Sequence, residues 1–143
     1  MKLLDVNVLI YATDVDSVHH ETAAPWLGGV LATTETVGIP TAVTIAFVRL
    51  TTNPRVMLSP LSPSESIAIV VNLLERPTVT SPGPTRRHYA VLAELLDRTG
   101  TAGNLVGDAH LAAIAIEHGA ELCSYDNDFS RFPALDWRNP ADS

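Results

Sequence analysis

The chain has 143 residues, of which 46% are hydrophobic and 17% charged, and its formal net charge is −7. These values predict one globular domain over residues 1–143 and exclude a disordered chain, and the lack of a long uncharged apolar stretch argues against a membrane span. The acidic balance argues against a generic basic nucleic-acid binder, although acidic side chains that hold divalent cations would also produce it.

The first ten residues are nearly continuously apolar, which predicts a buried parallel strand. Asp5 and Asn7 interrupt this run two positions apart and are therefore expected on the same side of the sheet. Because a buried, unpaired carboxylate is costly, Asp5 needs a partner, a proton or a cation. It either caps the following turn or belongs to a metal or phosphate site at the end of a central strand.

The rest of the chain alternates between helix and strand patterns, which predicts βαβ units and a mostly parallel sheet flanked by helices on both faces. The sequence S-P-S-E at Ser62–Glu65 predicts a helix start with a capping box. Further strands are expected at 37–39, 78–81, 121–124 and 135–137. Helices are expected at 19–31, 41–51, 63–75, 85–98, 105–118 and 129–132, with a flexible connection at 99–104.

Several aspartates lie where predicted strands or helices meet turns. Asp5 is in the first strand, Asp108 is in the first turn of an alanine-rich helix, and Asp126 and Asp128 follow a strand. The carboxyl ends of parallel strands meet at one edge of a sheet, so these side chains could converge there, and oxygen ligands suit Mg²⁺ or Mn²⁺. Asp108 could instead stabilise the helix dipole, and Asp126 or Asp128 could cap the next helix.

Four ordered blocks resemble the VapC-type toxins, a group of PIN-domain ribonucleases, over essentially the whole chain. They are L-L-D-V-N-V-L-I, F-V-R-L-T-T-N-P-R-V, L-V-G-D-A-H-L-A-A-I-A-I-E-H-G-A and L-C-S-Y-D-N-D-F-S-R-F-P. The resemblance implies a three-layer PIN domain with Asp5, Asp108 and Asp126 as metal ligands. It also implies that Asn7 lies near the attacking water and that Ser124 matches a hydroxyl position of the site.

One position departs from the family pattern. The family often has a glutamate in a segment resembling E-F-x-R, whereas this chain has Ala46-Phe47-Val48-Arg49. Glu35 or Asp128 could replace the missing acid. The absence of an acid at Ala46 bears on the binding of a second metal ion more than on that of the first. Arg49 and Ser124 are candidate contacts of the phosphate.

The resemblance implies hydrolysis of RNA phosphodiester bonds that depends on Mg²⁺, or on Mn²⁺, and inhibits translation and growth. Asp5 and Asp108 would hold the ion, and Asp126 would complete the cluster or orient the attacking water. The implied partners are RNA, a VapB-type antitoxin, and a second copy in a homodimer or toxin–antitoxin hetero-oligomer. We expect a cytoplasmic protein because Asp5 and Asn7 interrupt what would be a signal-peptide core.

Two alternatives remain open at this point. The segment D-V-N-V resembles the aspartate motif of haloacid-dehalogenase-like phosphatases, but that chemistry uses a second acid where Asn7 stands and usually a later lysine. Lys2 is the only lysine of the chain. A non-catalytic PIN-fold module that binds RNA or a protein is the other alternative, because of Ala46. The histidines show no metal-ligand spacing and are expected at the surface or in packing: His19, His20, His88, His110 and His118.

Overall fold

The computed structural model describes residues 1–100 and 102–143, and the sheet at its centre is parallel throughout. The strand order is β3-β2-β1-β4-β5, so β1 lies between β2 and β4. In register, Leu3 lies opposite Leu122 of β4. The strands are β1 (Lys2–Leu4), β2 (Val37–Gly38), β3 (Val79–Thr80), β4 (Glu121–Cys123) and β5 (Trp137–Arg138). The predicted α/β class with a parallel sheet is confirmed.

The α-helices of the described residues form two packed groups. In the first, α1 contacts α2 and α3, and α3 contacts α4; in the second, α5 packs against α6. None of the helices within the two described ranges has the length and hydrophobicity needed to cross a membrane. The helices are α1 (Val6–Thr13), α2 (His20–Leu31), α3 (Thr41–Thr51), α4 (Pro63–Leu74), α5 (His88–Thr99) and α6 (Val106–Glu117).

The first strand is shorter than the sequence predicts. It ends at Leu4, and Asp5 is the N-cap of α1, with its carboxylate accepting the Val6 N–H at 2.7 Å. The prediction of a strand through residue 10 was therefore wrong, as was the alternation that it implied for Asp5 and Asn7. A short apolar run does not distinguish a buried strand from a buried helix, and α1 buries Val8 and Leu9 completely or almost so.

Most other element boundaries agree within a few residues. The capping box at Ser62 and Glu65 is present, and α6 ends before Gly119, whose φ of 61° lies in the left-handed region that glycine adopts readily. Two boundaries differ: α5 starts at His88 instead of residue 85, and the turn after β4 is a 3₁₀ helix over Asn127–Arg131. The predicted connection at 99–104 includes residue 101, which lies outside the described residues.

The strand order reverses between β1 and β4. From β1 the chain proceeds to β2 and β3 on one side, and it then returns to β4 and β5 on the other. In open α/β sheets, ligands bind beside such a reversal, at the carboxyl ends of the strands. Asp5 directly follows β1, and Asp126 comes shortly after β4. The fold therefore brings residues from the two ends of the chain to the position where this class of sheet binds ligands.

Candidate metal centre and adjoining cleft

Three carboxylates form a tight cluster. Asp108, Asp126 and Asp128 each have an oxygen within 4.8 Å of the others. Asp108 lies in the first turn of α6, and Asp126 caps the following 3₁₀ helix by accepting the Asp128 N–H at 2.8 Å. The capping role considered for Asp126 is thus confirmed, and it coexists with membership of the cluster. A set of carboxylate oxygens fits a hard divalent cation such as Mg²⁺ or Mn²⁺.

The electrostatics of Asp108 reflect this crowding. The pKa of Asp108 is raised to about 6, chiefly by burial and then by the charges of Asp126, Asp5 and Asp128 in that order. Arg131 acts in the opposite direction, and its guanidinium lies 3.3 Å from the Asp128 carboxylate. A single arginine does not balance these carboxylates, so a divalent cation among them would reduce their repulsion.

Asp5 lies beside this cluster but is not a member of it. Its Oδ2 accepts a hydrogen bond from Ser124 Oγ at 2.7 Å and a longer one from Asn7 Nδ2 at 3.3 Å, while Oδ1 accepts from the Val6 N–H. Burial raises the pKa of Asp5, and the hydrogen bonds from Ser124 and Val6 act against burial. Its carboxylate is consequently held in one orientation before any ligand binds.

Asn7 and Ser124 join the ends of β1 and β4. Asn7 donates to Ser124 Oγ at 3.0 Å and accepts the Tyr125 N–H at 3.1 Å, and Ser124 Oγ also accepts the Asp126 N–H at 3.1 Å. Ser124 is 0% exposed. The structure therefore does not support Ser124 as a phosphate contact, because its hydroxyl is buried and fully engaged in orienting Asp5.

A cleft of about 280 Å³ lies next to the cluster and has polar and apolar walls. Asp5, Asp108 and Arg49 all line it, so three predicted site residues meet there although they are far apart in sequence. Arg49 lies in the last turn of α3 and is exposed. The remaining lining residues are Val6, Ala42, Val43, Ala46, Gly107, His110 and Leu111. The cleft thus combines acidic side chains with the guanidinium of Arg49.

The structure distinguishes the two candidates for the acid missing at Ala46, which lines the cleft. Glu35 lies just before β2, and its carboxylate is 3.8 Å from the N-terminal amine and 3.8 Å from Lys2 Nζ. It is therefore at the opposite end of the strands from the cluster. Asp128 is within the cluster, so of the two candidates it is the one whose carboxylate lies beside Asp108 and Asp126.

The position of Lys2 argues against the phosphatase alternative. Lys2 begins β1 and donates to Glu121 at 2.7 Å, whereas Asp5 follows the other end of the same strand. Asn7 also occupies the place of the second acid that such a phosphatase uses. The chain therefore lacks both of the partners that this chemistry requires of Asp5.

Sequence reasoning missed a histidine pair beside the cleft. His88 is buried and contacts both Glu117 and His110, and His110 lines the cleft. His110 and Glu117 are seven residues apart on α6, which places them on the same face two turns apart. That spacing was the available signal, but the partner that joins the two side chains comes from α5 and no local pattern identifies it.

Comparisons with known proteins agree with this architecture. The PIN domain family matches residues 2–135. Ribonuclease VapC37 of Mycobacterium tuberculosis is 43% identical over 140 residues, covering 98% of this chain and 97% of that protein. Ribonuclease VapC25 of the same organism is 40% identical over 137 residues, covering 94% and 95%.

Solved structures share the fold at lower sequence identity. VapC20 of Mycobacterium tuberculosis, described as a sarcin–ricin loop cleaving toxin, superposes with a TM-score of 0.70 at 16% identity, covering 97% of this chain and 100% of that one. VapBC2 from Rickettsia felis, bound to a DNA fragment from its promoter, gives 0.68 at 20% identity, covering 96% and 97%. The three-layer α/β/α architecture is therefore confirmed.

Proposed function

We propose that this chain, which belongs to the PIN domain family, is a Mg²⁺-dependent endoribonuclease and the toxin of a VapBC-type toxin–antitoxin module. It hydrolyses RNA phosphodiester bonds and thereby inhibits translation and growth. The observation that carries this proposal is the cluster of Asp108, Asp126 and Asp128, which adjoins an open cleft at the reversal of strand order. The ribonucleases that match the full length of the chain support the same activity.

The residues of the cluster have distinct roles in this proposal. Asp108, Asp126 and Asp128 supply the oxygens that hold Mg²⁺, or Mn²⁺ in its place. When bound, the ion supplies positive charge that polarises the scissile phosphate and activates the attacking water. Asp5 faces the cleft as a further acceptor, and Asn7 and Ser124 keep its carboxylate oriented. This chain thus contributes positioning and charge compensation, without a covalent nucleophile.

Arg49 is the residue that we assign to the RNA backbone. It is exposed, it lines the cleft together with Asp5 and Asp108, and it has no ion pair among the described residues. A guanidinium offers two parallel donors to a phosphate, which is a favourable geometry for backbone recognition. RNA as substrate also agrees with the cytoplasmic location expected from the sequence.

The proposed protein partner is a VapB-type antitoxin that forms a hetero-oligomer with this chain. Basic side chains of such a partner would pair with the acidic residues of the site and block it. A homodimer stays a prediction. The apolar faces of α3 and α4 are the candidate interface. Val43 and Phe47 are core residues and Val70 is partly buried against the core, whereas Ile67 and Val71 are 49% and 43% exposed and available for contact with a second copy.

The decisive experiment is cleavage of a mixed RNA pool by purified, antitoxin-free protein with Mg²⁺ or with EDTA. We expect cleavage that requires the ion and that falls at least about 100-fold in Asp108→Asn and in Asp126→Asn, the range seen when a group that stabilises a charged transition state is removed. Asparagine retains the capping ability of Asp126, so the loss would not reflect misfolding of the turn. Asp97→Asn, an exposed aspartate on α5, is the matched control and should cleave normally.

The outcomes separate the alternatives. Cleavage that persists in EDTA or in both variants would contradict the metal assignment. A folded protein that retains RNA but cleaves none of it with either ion would favour the non-catalytic binding module. Sequencing of the cleaved ends would then identify the target RNA of an active protein.

A further inference from the structure

A chain of hydrogen bonds leads from a buried carboxylate to the edge of the cleft. Glu117 Oε2 lies 2.6 Å from His88 Nδ1, and His88 Nε2 lies 2.9 Å from His110 Nδ1. The side chains of Glu117 and His88 are 0% and 3% exposed. Glu117 Oε1 accepts from both the N–H and the hydroxyl of Thr85, at 2.8 and 2.6 Å. The Glu117 carboxylate is thus shielded from water, and hydrogen bonds to both of its oxygens hold it in place.

The carboxylate determines where the protons of the two rings lie. Burial raises the pKa of Glu117, but the hydrogen bonds from Thr85 and His88 outweigh burial and lower it, so Glu117 is ionised and only accepts. His88 must then carry its proton on Nδ1. When both imidazoles are neutral, each ring carries one proton, so His88 Nε2 accepts and the proton of His110 lies on its Nδ1. In this state His110 Nε2 is unprotonated.

This nitrogen is available to a ligand. His110 Nε2 has no hydrogen-bond partner among the described residues, and it is not among the buried unpaired polar atoms, so it is open to solvent. His110 lines the cleft that contains Asp5 and Asp108. It also lines a second depression with Pro82 and Ile114, so the two depressions meet at this side chain. A nucleic-acid strand that enters the cleft through the second depression would pass His110 Nε2.

We infer that His110 is a substrate-contacting residue whose Nε2 accepts a hydrogen bond from the RNA, and that His88 and Glu117 are positioning residues that fix its tautomer. This inference rests on the proposed ribonuclease function for the identity of the ligand. The donor is a ribose 2′-hydroxyl or the exocyclic amino group of a base, since phosphate oxygens only accept and would not bind an unprotonated nitrogen. A 2′-hydroxyl donor would distinguish RNA from DNA at this position.

The tautomer can be measured without any activity. Nitrogen NMR of the full chain labelled in histidine, at a pH where the imidazoles are neutral, should show His110 protonated on Nδ1. His118 is an internal control with the opposite tautomer, because its Nε2 donates to the Gly83 carbonyl at 2.7 Å. In Glu117→Gln the side-chain amide can donate as well as accept, so His110 should populate both tautomers. A His110 protonated on Nε2 in the native chain would overturn the inference.

The contact with RNA is tested by two substitutions of the same residue. His110→Gln keeps a polar group near the position of Nε2, whereas His110→Asn keeps only the inner hydrogen bond to His88. We expect cleavage of an RNA oligonucleotide to fall roughly five- to tenfold in His110→Asn, the value of one hydrogen bond, and to be largely retained in His110→Gln. His118→Asn, exposed at the end of the same helix, is the control and should cleave normally.

Substituted oligonucleotides identify the donor. A single 2′-deoxy nucleotide, or a base that lacks its amino group, should slow the native protein by a similar factor at one position and should not slow His110→Asn further. The 2′-deoxy result assigns the hydroxyl, and the base result assigns the amino group. An active protein whose His110→Asn variant cleaves normally would overturn the contact while leaving the ribonuclease function intact. Absence of all cleavage would contradict the function, and the NMR result would still test the tautomer.

Discussion

The two ends of strands β1 and β4 carry acidic residues in opposite electrostatic situations. At their start, Glu121 is bound by Lys2 at 2.7 Å and by Arg138 at 3.1 Å. Burial raises the pKa of Glu121, but the hydrogen bonds from Lys2 and Arg138 outweigh it and the pKa is lowered. At their end, the carboxylates of Asp108, Asp126 and Asp128 lie close to one another, and of these three only Asp128 forms an ion pair among the described residues, with Arg131.

The difference indicates that the acids at the two ends of the sheet have different roles, one in stability and the other in function. Paired charges at the start of the strands tie neighbouring strands together, and the folded protein favours their ionised form. At the other end, burial of Asp108 and mutual repulsion among the carboxylates exceed their compensation by Arg131 and oppose folding, as the pKa of about 6 for Asp108 indicates. Functional sites commonly retain such unfavourable charge because a ligand compensates it. The acids at the carboxyl ends are therefore better explained by cation binding than by stabilisation of the fold.

Removal of one acid from each end should have opposite effects on stability. Glu121→Gln breaks a half-buried ion pair with Lys2 and should lower the free energy of unfolding by about 1–3 kcal/mol. Asp108→Asn relieves repulsion and should raise it by up to about 1 kcal/mol, a value reduced for solvent screening at this partly exposed group. Urea denaturation at neutral pH without divalent cations measures both changes.

The same two substitutions should affect RNA cleavage in the opposite way: the loss falls on Asp108→Asn, not on Glu121→Gln. Glu121→Gln should cleave RNA at the native rate under conditions where it remains folded, because Glu121 lies away from the cleft. A stability of Asp108→Asn below that of the native protein would contradict the comparison, because it would mean that Asp108 is a structural residue with satisfied interactions. Asp97→Asn on the exposed face of α5 serves again as the matched control and should change neither property.

Much of the fold was predictable because local signals agree with it. The capping box at Ser62, the glycine after α6 and the buried alanine-rich helix itself are consequences of short-range chemistry. The first strand was the failure. Apolar residues stand on both sides of Asp5, in β1 and in α1, and the change from strand to helix is marked by the hydrogen bond from the Val6 N–H to the Asp5 carboxylate. No periodicity encodes that boundary.

The acidic residues of the candidate site could be predicted from the sequence, but their spatial arrangement could not. The sequence indicated Asp5, Asp108 and Asp126 as metal ligands and Asp128 as a further candidate, but it did not indicate that Asp5 remains outside the tight cluster of the other three. Ser124 was predicted as a phosphate contact because it matches a hydroxyl position of the family's site, but it is buried and donates to Asp5. The His88–Glu117 contact joins two helices, and tertiary pairs of this kind leave no local pattern.

The pH dependence of stability provides a smaller test of the same contrast. The pKa of Asp108 is raised from 3.8 to about 6 in the folded protein, so between these values the folded state binds more protons than the unfolded state. Its contribution to the free energy of unfolding must therefore fall as pH rises through this window, by up to about 1 kcal/mol after allowance for screening. Glu121, with a lowered pKa, contributes in the opposite direction and loses its contribution as pH falls.

A difference curve isolates the contribution of Asp108. Free energies of unfolding of the native protein and Asp108→Asn should diverge as pH rises from about 4 to about 6, with the variant becoming relatively more stable. Addition of Mg²⁺ at the upper end should stabilise the native protein by about 1.4 kcal/mol at ten times its dissociation constant and should have less effect on the variant. Parallel curves across this range would contradict the raised pKa.

The smallest expected effect comes from restoring an acid at Ala46. Ala46→Glu adds a carboxylate to the cleft wall near Asp108, so the cation-free protein should lose roughly 0.5–1 kcal/mol through added repulsion. The same charge should tighten Mg²⁺ binding a few-fold, because a hard cation gains from each additional carboxylate oxygen. The Mg²⁺-dependent rise in melting temperature measures both effects, and Ile45→Glu, at an exposed position of α3 that does not line the cleft, is the control.

A double variant determines whether Asp128 already fills the role of the missing acid. If it does, Asp128→Asn should weaken Mg²⁺ binding, and Ala46→Glu should restore much of that loss in the double variant. The two changes would then be non-additive, as expected for residues that share one ligand. Additive changes would mean that Ala46→Glu creates a separate cation position, and the carboxylate of Asp128, which already pairs with Arg131 at 3.3 Å, would then be a structural partner of that arginine.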